Sequence, residues 1–178
     1  FLNEGIAEAE FEKDLARSLF LIYTSVDTRG IKQRSSQSGS GFMGHKPITA
    51  GLLDGLHAFE SFPDWFSQSD LDYLVSQFML SGKRGPYNRY RAQNIDWHEL
   101  AHLEGALIEQ PAFFITGELD LVSQFVPLST SFIDHIKHNY RNLIMAEELP
   151  NVGHWTAEEA PEVVNRIILQ FLSAISHG

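Results

Sequence analysis

Residues 111–120, PAFFITGELD, decide how the chain reads. Ala112 to Thr116 form a short, almost continuous apolar run between Pro111 and Gly117, which predicts a strand buried on both faces. A helix is expected over about 129–138, then a strand over 143–146 and a loop, LPNVGHW, over 149–155. A last helix runs from Pro161 to about Ala174, with Val163, Val164, Ile167, Ile168, Phe171 and Leu172 on one broad face. Strand, helix, strand, helix is the order of a parallel α/β sheet. A parallel pair buried on both faces needs neighbours, so the tail reads as the end of a sheet whose earlier strands lie outside this chain.

In open parallel sheets the working residues gather at the carboxyl ends of the strands. Two polar clusters fall there: Gly117-Glu118-Leu119-Asp120 and Asn151-Val152-Gly153-His154-Trp155. A carboxylate beside an imidazole fixes its tautomer and stabilises its charged form, so Asp120 and His154 are candidates for the orienter and base of a nucleophilic triad. Taken singly, Asp120 reads as a turn cap and His154 as a surface histidine; the order acid then histidine is the one a hydrolase sheet requires.

Upstream the pattern is helical. Phe11, Leu15, Leu19 and Ile22 predict one amphipathic helix over 7–24. From Asp27 to Pro63 the periodicity fails, and a long, partly mobile excursion with short helical pieces is expected. A second helix is expected to start at Ser69 as N-cap, with Asp72 three residues on, and to end at Gly82 in the left-handed conformation. Pro86 at a first helical position predicts a third, carrying Tyr87 and Tyr90 one turn apart beside Arg89 and Arg91. Phe42, Met43, Phe59, Phe62, Trp65 and Phe66 either line an apolar pocket or pack together.

Composition removes whole classes of function. The 178 residues include 43% hydrophobic and 20% charged side chains, enough to bury a core. Without cysteine there is no disulfide scaffold, thiol nucleophile or cysteine-bound zinc. The net charge of −10 argues against nucleic acid and anionic membranes as partners. No apolar run approaches the roughly 18–20 residues that span a bilayer. The chain is expected to be soluble and cytoplasmic, with secretion left open, and its oligomeric state is open.

A rival reading comes from His98-Glu99-Leu100-Ala101-His102, a literal H-E-x-x-H. On one helix it would present two imidazoles a turn apart for zinc, with Glu99 as base. Gly105 extends the longer metalloprotease pattern, but its next ligand position is Ile108, and Glu118 as third ligand has no supporting pattern.

Four stretches carry a family resemblance. GIAEAEFEKDL (5–15), SGKRGPYNRYR (81–91), DWHELAHLEGALIEQPAFFITGELDLV (96–122) and GHWTAEEAPEVVNRIILQFL (153–172) resemble segments of the epoxide hydrolases of the α/β-hydrolase superfamily, from the opening of the helical lid to the end of the core. The second is similar to that family's SGFRGPLNWYRN segment. The resemblance implies an N-terminally incomplete lid over 1–108 and the C-terminal part of the core over 109–178. It places Asp120 on the triad acid, His154 on the triad base and Tyr90 on a lid tyrosine. Tyr87, His98, His102, His135 and His138 match no role. An aspartate nucleophile would open an epoxide to an enzyme ester, lid tyrosines would donate to the ring oxygen, and His154 held by Asp120 would activate water to release a diol; no cofactor is implied. The family's nucleophile and its other lid tyrosine would precede Phe1. A complementary N-terminal fragment is therefore expected as partner, and the 178 residues alone are expected to be inactive. Haloalkane and fluoroacetate dehalogenases share the aspartyl-ester chemistry, and a non-catalytic binding module is a reading of another class.

Overall fold

The computed structural model describes residues 3–36, 50–125 and 131–176. Phe42 and Met43 lie outside the described residues. The order is α1 (Ile6–Glu12), α2 (Leu15–Ser25), α3 (Thr28–Ser36), α4 (Gln68–Ser81), α5 (Arg84–Arg91), α6 (Gln93–Glu99), β1 (Ala112–Gly117), α7 (Phe132–Lys137), β2 (Leu143–Leu149), α8 (Thr156–Glu159) and α9 (Pro161–Ser176). Two compact units result; the chain crosses from the first to the second at Ser25–Val26 and again at Glu104–Gly105. Residues 26–36, with α3, therefore pack in the second unit.

The first unit is helical. The helix expected over 7–24 is two helices, because the Asp14 carboxylate accepts the Arg17 N–H (3.0 Å) and restarts the helix as an internal cap. The cap of α4 is Ser67 with Asp70, two residues ahead of the expected pair. Ser67 Oγ accepts from the Asp70 N–H, and the Asp70 carboxylate accepts the Ser67 N–H in return. Gly82 closes α4 at φ 71° but ψ 179°, a positive φ outside the left-handed helical well. Pro86 sits at the third position of α5, not the first.

Phe11, Leu19, Phe66, Leu71 and Tyr87 form the core of this unit. Phe62 meets Phe20 and Phe66 edge-on and Trp65 stacks on Phe66, so these aromatics pack against one another. Tyr87 lies edge-on to Phe11 and directs its hydroxyl at the Ala7 carbonyl (3.4 Å). Burial, reinforced by nearby Glu8, holds that phenol well above its ordinary pKa. Arg91 grips both oxygens of Glu8 at 2.6 and 2.9 Å, tying α5 to α1 and holding the Glu8 carboxyl down at about 2. That pair stabilises the fold above the ordinary carboxylate pKa and loses its effect as pH falls toward about 2.

In the second unit β1 and β2 pair in parallel, Ile115 opposite Glu147 and Gly117 opposite Leu149. Alternation along β1 sends Phe113 to one face, onto Phe171 of α9 (4.8 Å between centroids), and Phe114 to the other, onto Phe132 of α7 (5.7 Å). β2 runs three residues beyond the expected Ala146, since Glu147 and Glu148 pair with β1 while remaining exposed. α3 is one of the short helical pieces expected within the excursion from Asp27 to Pro63. Asp27, 1% exposed, caps it by accepting the Gly30 N–H at 2.7 Å, and Ile31 is buried beneath it. Among the described residues no helix is long and apolar enough to cross a membrane.

Candidate active site

The two strands end side by side, and their loops are laced together. The Glu118 N–H donates to Leu149 O (2.9 Å), the Leu119 N–H to Val152 O (2.9 Å) and the Asn151 N–H to the Glu118 carboxylate (2.8 Å). Glu118 is thus a loop tie. Gly117 is required because a Cβ there would collide with the carbonyls of Val152 and Gly153. Gly153 is equally confined, since its Cβ would lie 2.6 Å from the Thr28 nitrogen and 2.7 Å from the Glu159 carboxylate. Gly153→Ala is expected to destabilise the fold by roughly 1–3 kcal/mol through overpacking, read as a lower denaturant midpoint; an unchanged midpoint would contradict that packing.

Asp120 and His154 meet here. His154 Nδ1 lies 2.9 Å from Asp120 Oδ1, which also accepts the Val122 N–H at 3.0 Å. The aspartate side chain is 13% exposed and the imidazole 35%, so the acid is sheltered while the ring reaches solvent. With Nδ1–H assigned to the carboxylate, Nε2 carries the free lone pair. The hydrogen bond to Asp120 raises the His154 pKa above its ordinary value; burial opposes the rise, and the charges of Asp120, Glu159 and Glu158 assist it. The ion pair therefore contributes stability that is fully present below the unfolded histidine pKa and is lost as pH rises through the higher folded value. Base strength runs the other way, because neutral imidazole forms only above that raised pKa.

Tyr90 lies in the first unit, on α5 one turn beyond Tyr87, and is 49% exposed. The H-E-x-x-H stretch is not one helix. α6 ends at Glu99, His102 falls in a separate 3-10 turn, and its Nδ1 lies 3.1 Å from the Glu99 carbonyl oxygen. Among the described residues no three His, Asp or Glu side chains are grouped to hold a metal ion. His135 lies on α7 and His138 caps its end.

The structure adds Glu159, Thr28 and Val26 around the histidine loop. The His154 N–H donates to Val26 O (3.0 Å), and the Glu159 carboxylate accepts from Thr28, Gly153 and Trp155. Glu159 had a local signal, an acid in the first turn of a helix whose N–H groups need acceptors. Thr28 had none, lying 131 residues away in sequence.

A parallel pair with helices on both faces, an acid and a histidine joined at its carboxyl end, and a helical unit preceding it in the chain form the C-terminal part of an α/β-hydrolase fold. Within that class the chain is similar to epoxide hydrolases. It is 36% identical over 126 residues to epoxide hydrolase B of Mycobacterium tuberculosis, covering 71% of this chain and 35% of the relative. It is 30% identical over 175 residues to epoxide hydrolase A of the same organism, covering 98% of this chain and 51% of the relative. The solved epoxide hydrolase from an endophytic Streptomyces superposes with a TM-score of 0.85 at 31% identity, over 99% of this chain and 51% of that one. The chain thus spans about half, or less, of the length of the proteins it matches. No protein-family profile matches it.

Proposed function

We propose that this chain supplies the lid and the closing part of the core of an epoxide hydrolase, and that the nucleophilic aspartate comes from a segment outside these 178 residues. The carrying observation is the 2.9 Å pair of Asp120 and His154 at adjacent strand ends, in a chain matched nearly end to end by epoxide hydrolases. The incoming carboxylate attacks a ring carbon, the carbon–oxygen bond breaks, and an alkyl ester of the enzyme forms. The departing alkoxide is a poor leaving group, and the Tyr90 hydroxyl, as one of the lid donors, hydrogen-bonds it as charge develops. His154 Nε2 then takes a proton from water, the hydroxide attacks the ester carbonyl, and as the ester bond breaks the imidazolium returns that proton to the departing oxygen, releasing a vicinal diol and regenerating the aspartate. Asp120 holds the imidazole in the right tautomer and balances the imidazolium.

The helical unit serves as the lid in this reading and the sheet-bearing unit as core. The substrate is an epoxide, and the complementary N-terminal segment is the partner. Styrene oxide and a haloalkane, offered to the protein that unites both parts, test the reading: diol formation is expected. Halide release without diol would assign the dehalogenase chemistry, and neither product would refute catalysis by the ester route. Tyr90→Phe is expected to slow ring opening by roughly 10²-fold, the cost of one lost donor at a developing oxyanion. Single-turnover ester formation measures it, and a wild-type rate would remove Tyr90 from the mechanism.

A further inference from the structure

The carboxylate of Glu159 gathers four donors from two distant parts of the second unit. Oε2 accepts the Thr28 N–H (2.9 Å), the Thr28 hydroxyl (2.6 Å) and the Gly153 N–H (3.3 Å), while Oε1 accepts the Trp155 N–H (3.1 Å). The two loop donors flank His154 in sequence, and the third tie, from the His154 N–H to Val26 O, lands two residues before Thr28. Gly153 has no room for a Cβ between Asp27, Thr28 and Glu159, so the loop rests directly on the backbone at the start of α3. Rotation of the histidine backbone away from Asp120 would have to break these bonds together.

We propose that Glu159 is a positioning residue for His154, clamping the 153–155 turn to the start of α3 so that the imidazole faces Asp120 with one nitrogen and water with the other. The proposal rests on His154 being the base that cleaves the ester. It goes beyond that reading by assigning the geometry to a carboxylate outside the triad and to a threonine 126 residues upstream of the histidine, the difference between positions 154 and 28. Glu159 acts through charge as well as reach. The charged groups bearing on the imidazole are Asp120, Glu159 and Glu158, all acidic, and together they favour its protonated form. On the α3 side stands Asp27, whose carboxylate is engaged by the Gly30 N–H and by Arg29 Nε at 3.4 Å, and whose pKa is raised first by burial.

Two variants of the protein that contains both the chain and the nucleophile test the clamp. Glu159→Gln removes the charge and cannot satisfy donors on both sides with one oxygen. It is expected to slow ester cleavage roughly tenfold while leaving ester formation unchanged, since small misplacements of a catalytic group carry costs of this order. The His154 ring titration, followed by NMR, is expected to move to lower pH. Thr28→Val deletes the 2.6 Å hydroxyl bond and keeps every charge, so ester cleavage is expected to slow about threefold with the titration in place. A folded Glu159→Gln protein with wild-type ester cleavage or an unmoved His154 titration would overturn the proposal. Should that variant fail to fold, wild-type ester cleavage in Thr28→Val would do the same. Absence of epoxide turnover in the parent protein would instead refute the epoxide reading, while an unmoved His154 titration in Glu159→Gln would still overturn the clamp.

Discussion

Replacing His154 with Gln, in a protein that unites this chain with the proposed nucleophile-bearing segment, is expected to cut diol release by roughly 10²–10⁴-fold, the usual contribution of a positioned general base. In the proposed mechanism ring opening needs no base, because the attacking carboxylate is already ionised and the leaving oxygen would be served by the lid. One equivalent of epoxide should therefore be consumed in a burst, followed by almost no turnover. Glutamine fills much of the imidazole's volume and leaves the loop anchored by the backbone bonds to Val26 and Glu159. The loss should thus be chemical, with the unfolding midpoint little changed at pH above the raised His154 pKa, where the ion pair no longer contributes. In the wild-type protein the rate of ester cleavage should rise with pH through the raised His154 pKa, since only the neutral ring accepts water's proton. A rate that falls across that range would remove His154 from the base role.

Asp120→Ala is expected to be nearly as severe, also roughly 10²–10⁴-fold in diol release, because the ring loses both its orienter and its counter-charge. Asp120→Asn separates those two contributions. A single oxygen, Oδ1, accepts from both His154 and the Val122 N–H, so an asparagine oxygen in that place keeps both bonds and removes only the charge. The His154 titration should fall in the Asn variant while the loop geometry persists, and its activity should lie between wild type and Asp120→Ala. Equal losses in the two variants would mean that the charge, not the geometry, carries the effect.

Much of this was legible because short-range chemistry decided it. The apolar run Ala112–Thr116 ended by Gly117 reads as a strand in isolation, and the strand found, Ala112–Gly117, differs by one residue. Asp120 and His154 were legible as strand-end polar residues in a fixed order, and the structure joins them. Helix ends were harder. Asp14 breaks an uninterrupted hydrophobic pattern, and Ser67 competes with Ser69 for one cap, choices set by which side chain reaches a free N–H. A short helical piece was expected in the stretch that holds α3, but its bounds were hidden by polar composition, because its stability comes from Asp27 and from packing of Ile31 in the second unit. The support beneath His154 was legible only on one side, where Glu159 sits as an acid in the first turn of a helix. Thr28 and Glu159 are neighbours only in the fold, and no periodicity connects residues 131 apart. Tyr90 is a different case: helical spacing places it a turn from Tyr87, but only the family resemblance singles it out.

The central claim is that His154 cleaves an ester formed on an aspartate. Intact-mass spectrometry of the His154→Gln protein, with its nucleophile-bearing segment, after incubation with styrene oxide tests this most directly. The prediction is one covalent adduct per protein, equal in mass to the whole epoxide, formed at the rate of the burst and slow to hydrolyse. A protein that consumes the epoxide yet shows only its unmodified mass would contradict it.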